Sequence, residues 1–171
     1  MRTLLPGLLV AGMLTTQLAV AQQCARPVEK TAFDIAGLKS QLMVTALSCD
    51  AREKYNAFVS RYRSELISQE RALTGYFGRS FGRRGQQEHD DYVTSLANVQ
   101  SEADTRQGSA FCQKNIGLFD QVMALPPGTD LPGFAANRGD IVQPITVITC
   151  TEPVHVTRTA SAAPAVSHRH R

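Results

Sequence analysis

VEKTAFDIAGLKSQLMVTALSCD, residues 28–50, opens a run of 98 residues without proline that ends only at Pro126. Within this opening stretch Ile35, Leu38, Leu42, Ala46 and Cys49 recur at three- and four-residue spacing, which is the period of one helix face. Thr31 and Asp34 form the kind of pair that caps a helix start. Average usage would put about five prolines into a run of that length. Instead, six of the eight prolines fall in the last 46 residues. Proline removes an amide donor and clashes inside a helix, so the gap reads as a helical core and the excess as an irregular arm.

Three further helices follow from the same periodicity. Asp50 and Glu53 repeat the capping pattern ahead of a long stripe of Tyr55, Phe58, Val59, Tyr62, Leu66, Leu73, Tyr76 and Phe77. That stripe thins at Gln69 and Glu70, which marks the middle of the helix as solvent-facing. Tyr92, Leu96, Val99 and Ala103 face inward on a third helix over about residues 87–106. After Gly108, Ser109 caps a fourth that carries Phe111, Cys112, Ile116, Phe119, Val122 and Met123, and Pro126-Pro127-Gly128 stops it.

Short links favour antiparallel neighbours. In an up-and-down bundle the end of the first helix and the start of the fourth lie at the same end, which pairs Cys49 with Cys112 and leaves Cys24 for Cys150. Cys24–Cys49 with Cys112–Cys150 stays open on sequence alone. A bridge closing a loop of about 60 residues stabilises by about 4 kcal/mol in the chain-entropy model. The expected fold is all-α: an antiparallel bundle of about four helices, disulfide-tied, with an extended Pro-rich C-terminal arm. Residues 22–125 form the helical domain and 126–158 the arm. The run 141–150, interrupted by Pro144, offers a possible edge strand there. Residues 159–171, rich in Ala, Ser and His, read as a disordered tail.

Arg2, the apolar stretch Leu4–Val20 and the small-x-small ending Ala19-Val20-Ala21 read as a signal peptide, residues 1–21. All four cysteines follow it, an even count that fits disulfides in an exported chain. A periplasmic or secreted protein is expected, with no transmembrane segment in the mature chain. With 18 Lys+Arg against 15 Asp+Glu, the charge is too balanced for a dedicated nucleic-acid binder. The absence of CxxC and of Cys/His clustering argues against zinc and thiol–disulfide exchange, and no cofactor is expected.

The segment 75–85 has the most unusual composition, with four glycines, three arginines and no acid. Glycines let amides turn toward an anion, and guanidinium forks suit phosphate or carboxylate. Arg79, Arg83 and Arg84, with Phe77 and Phe81 to stack or insert, are therefore the candidate binding residues. The plainer alternative is a connector with solvated arginines. Gly78-Arg79-Ser80-Phe81-Gly82 formally matches a nucleophile elbow but lacks the strand that must precede one. Glu88-His89-Asp90-Asp91 gathers carboxylates around an imidazole, yet adjacent helical residues point in different directions. Acids in a first turn also suit the helix dipole.

No catalytic or metal-ligand constellation has its required context. The leading expectation is an exported non-catalytic binding or accessory protein of the bacterial cell envelope. Its anionic partner would be an envelope protein, a lipid head group or a polysaccharide. The alternatives are a periplasmic stress chaperone and a small hydrolase using His89.

Overall fold

In the computed structural model, which describes residues 24–126 and 130–150, the first helix opens at Pro27, one turn before Thr31. Proline suits the first helical position, where its missing amide would have had no partner. Glu29 completes the start by accepting a 2.7 Å hydrogen bond from the Arg26 amide. Thr31 lies inside the helix and its hydroxyl donates to the Pro27 carbonyl at 3.1 Å. This helix, α1 (Pro27–Ser48), ends at Asp50, whose positive φ of 52° lets the Ala51 amide reach back to the Ala46 carbonyl at 2.9 Å. That is a Schellman ending with aspartate where glycine is usual, so Asp50 closes α1 and does not cap the next helix.

The long second helix of the sequence is broken at Tyr62 into α2 (Arg52–Arg61) and α3 (Arg63–Phe81). No proline or glycine causes the break. The Tyr62 hydroxyl donates to the Val122 carbonyl at 2.8 Å, and Arg61 reaches the carbonyls of Met123 and Leu125. The break lets α2 follow the fourth helical segment while α3 turns onto α1. A 3-10 turn at Gly82–Arg84 leads to α4 (Gly85–Gln107). The fourth segment is itself split at Ile116 into α5 (Ser109–Asn115) and α6 (Gly117–Met123).

One more helix lies in the arm. Asp130 Oδ1 accepts from the Gly133 amide at 2.9 Å and Pro132 sits in the first turn, which starts α7 (Leu131–Ala136). From Asn137 to Cys150 the described arm runs through turns and bends. Among the described residues it forms no strand, only one parallel bridge, Ala25 to Thr149, held by two 2.8 Å backbone bonds. Gln143 docks it on α1 by donating to the Phe33 carbonyl at 3.0 Å and accepting from the Tyr92 hydroxyl at 2.9 Å. Burial, with Asp34 nearby, pushes the Tyr92 hydroxyl well above the ordinary tyrosine range.

The core has two parts joined by α1. Ile35, Leu38, Leu42 and Ala46 meet Phe58, Phe119, Val122 and Leu131 in one. In the other, Ala32 and Phe33 meet Leu73, Tyr76, Phe77, Tyr92 and Leu96. Burial on more than one side makes α1 the central helix, not one of four equivalent staves. The disulfides are Cys49–Cys112 and Cys24–Cys150. No helix among the described residues is long and apolar enough to cross a membrane. The segment 1–21, the arm beyond residue 150 and the tail lie outside the described residues.

Candidate functional site

The segment 75–85 is folded, not open. Residues up to Phe81 continue α3, Gly82 turns the chain at φ 57°, and Gly85 begins α4 against α3. A Cβ on Gly85 would lie 2.8 Å from the Gly78 Cα and 2.9 Å from the Phe77 carbonyl, so the glycines permit a close helix–helix approach. Phe77 is buried among Phe33, Tyr92 and His89, and Phe81 stacks on it at 5.9 Å. Only Arg83 and Arg84 point outward. Arg84 pairs with Glu88 at 3.2 Å, and Arg83 has no carboxylate partner among the described residues.

Arg79 is spent inside the protein. It hydrogen-bonds both oxygens of Glu29 and donates to the Cys24 carbonyl at 3.0 Å, with its guanidinium 5.6 Å from the Tyr76 ring. The anion that this arginine holds is therefore the protein's own, and the clamp joins α3 to the start of α1 beside the Cys24–Cys150 bridge. Burial pushes the Glu29 carboxyl up, but the hydrogen bonds from Arg79 and the Arg26 amide, with the charges of both arginines, outweigh it and hold the group below its ordinary 4.5. The folded carboxyl ionises more readily than the unfolded one. Its contribution to stability is thus complete above pH 4.5 and is lost as the pH falls below it.

We expect Arg79→Ala to cost about 3 kcal/mol at pH 7, because it leaves a buried carboxylate unpaired. Arg83→Ala should stay within about 0.5 kcal/mol. Urea unfolding at pH 7 and pH 3 checks both figures. The Arg79→Ala deficit should shrink at pH 3, and a deficit independent of pH would exclude the clamp as its cause.

A groove on another face has the properties that the turn lacks. One cavity of about 630 Å³ lies among α1, α3 and α4, with Met43, Leu73, Val93, Ser40 and His89 in its lining. Another, of about 430 Å³, lies among α1, α2 and α3, with Val59, Leu66, Ile67, Arg63 and Arg71 in its lining. The two share Lys39, Tyr55 and Glu70, and so form one trough. At the shared centre, Glu70 lies 3.6 Å from Lys39 Nζ and 3.0 Å from His89 Nε2. His89 Nδ1 lies 3.5 Å from Asp90. Neither ring nitrogen makes a hydrogen bond among the described residues, and the buried imidazole packs edge-on against Phe77.

Ser40 lines the same cavity, but its hydroxyl has no hydrogen-bond partner among the described residues. Ser40 and His89 thus do not form the nucleophile–base contact that hydrolysis would use. Among the described residues no group of three metal-ligating side chains converges.

The sequence reading missed the groove's charges. Arg63, Ile67 and Arg71 stand at i, i+4 and i+8 along one side of α3, in the part where the apolar stripe thins. Both arginines are exposed with no carboxylate partner among the described residues, and Ile67 is 43% exposed between them. The only trace of this in the sequence is the alternation of base and aliphatic residue at helical spacing. Comparisons with protein-family models, with curated proteins and with solved structures find no match to this chain.

Proposed function

We propose that the chain is an exported, non-catalytic binding or accessory protein of the bacterial cell envelope that works through the trough along α3. The observation that carries this reading is an exposed apolar floor flanked by Arg63 and Arg71, two cations with no ion pair among the described residues, on a scaffold pinned by two disulfides. Arg79, by contrast, is neutralised within the fold by Glu29. Paired cysteines and the amino-terminal signal-like segment support an oxidising compartment outside the cytoplasm. Arg83 and Arg84 form a smaller outward cationic turn at the far end of α3.

Co-sedimentation of the oxidised protein with bacterial envelope fractions over a salt series tests the reading. Retention should fall with salt, because exposed charges are screened. It should drop by about tenfold in Ile67→Asp/Arg71→Glu, through a lost apolar contact and a reversed charge. It should persist in Arg83→Ala/Arg84→Ala. Loss only in the latter variant would return the contact to the turn, and no retention at any salt would overturn the proposal.

A further inference from the structure

Resting on the reading of the trough as the working surface, we infer that its partner is an amphipathic helix of another protein that carries two carboxylates about two turns apart. Arg63 and Arg71 are separated by eight residues of a rigid helix, or about 12 Å along its axis. A partner helix laid along α3 with acids at i and i+7 or i+8 would bring one carboxylate to each guanidinium. Its apolar face would then lie on Ile67, Leu66 and Val59, which is the helix-in-groove mode of recognition. Glu70, which lines the same trough, faces the Lys39 ammonium at 3.6 Å and forms no ion pair with either arginine.

The arrangement disfavours other anions. A single-headed acyl carboxylate would satisfy one arginine and leave the other unpaired. It would also lie in an open trough, whereas small molecules bind in sites that enclose most of their surface. The spacing of two charges across an aliphatic floor matches a helix face.

The test uses a fluorescein-labelled 18-residue alanine-based helix with a leucine face and two glutamates eight residues apart, read by anisotropy against the oxidised full chain. Saturable, salt-sensitive binding is expected, weakened about tenfold by Arg63→Glu/Arg71→Glu, since two exposed pairs become like-charge contacts. A peptide with lysine at both positions should bind that variant and not the original protein. A peptide with its glutamates four residues apart should bind more weakly than the parent. Circular dichroism of the variant checks that its helices are intact.

Equal binding of the glutamate and lysine peptides would overturn the inference, as would no peptide binding. So would arginine-dependent binding of laurate or of anionic phospholipid vesicles without the peptide, which would make the ligand an amphiphile or a membrane surface. Envelope retention that still depends on Ile67 and Arg71 would show the trough to be the working surface even if the helix partner fails.

Discussion

Replacing Phe33 with alanine is expected to lower the stability of the oxidised protein by about 4 kcal/mol, the usual range for deleting a buried phenylalanine. Phe33 is wholly buried on α1, with the rings of Tyr76, Tyr92 and Phe77 around it at 4.9, 5.1 and 5.9 Å. Those neighbours cannot easily collapse into the space. The Tyr92 hydroxyl is tied to Gln143, Tyr76 lies against Arg79, and Phe77 is wedged where α3 approaches α4. Most of the void would therefore remain. Phe33→Leu, which keeps more of the volume, should cost about 1.5 kcal/mol. Guanidinium unfolding of both variants measures the difference, and a loss below about 1.5 kcal/mol for Phe33→Ala would mean that the aromatic cluster repacks.

Removing the Cys24–Cys150 bridge by a double serine substitution should cost about 5 kcal/mol, against about 4 kcal/mol for Cys49–Cys112. The first closes a separation of 126 residues and the second one of 63, and the entropy removed from the unfolded chain grows slowly with loop length. The two losses should also differ in kind. Without Cys24–Cys150, α7, Ile141 and the Gln100–Val142 hydrogen bond still hold the first part of the arm, but its last residues keep the bridge at Ala25 and Thr149 and the packing of Val147 without a covalent tie. The Ala25 and Cys150 amides, both hydrogen-bonded across that bridge, should then exchange with solvent faster than amides in the middle of α1. In the Cys49→Ser/Cys112→Ser variant they should keep their protection. Equal exchange of these two amides in both variants would contradict the arm's dependence on its own disulfide.

The all-α class was legible in the chain, because it depends on local and countable features, and the structure chose the preferred of the two disulfide pairings that the sequence left open. Proline spacing and helical period are enough for the class, and the up-and-down alternation of short-linked helices favours the pairing without fixing it. The same reasoning picks out Leu38, Leu42, Phe58, Phe77, Tyr92, Leu96 and Phe119, all buried. It misses Phe33, because a stripe argument assigns one apolar face to α1, whereas this helix is covered on several sides. It also misses α7, whose six residues are too few to show a period. The breaks at Tyr62 and Ile116 escape it too: no proline or glycine stands beside Tyr62, and a lone Gly117 beside Ile116 does not by itself end a helical pattern. Tyr62 bends the chain through a hydroxyl aimed at a carbonyl 60 residues away.

For the candidate site the division is sharper. Composition singles out 75–85, and the glycines there do serve a turn and a close approach. Whether an arginine is offered to a partner or used within the fold depends on what stands opposite it. Glu29 stands opposite Arg79, 50 residues earlier in the chain. No carboxylate forms an ion pair with Arg63 or Arg71 among the described residues, although Glu70 lines the same trough. The sequence by itself determined which residues could bury, cap, turn or cross-link, because those are properties of a residue and its near neighbours. Only the tertiary structure decided which charges were neutralised and which apolar side chains were covered, because desolvation and ion pairing depend on surfaces brought together from distant parts of the chain.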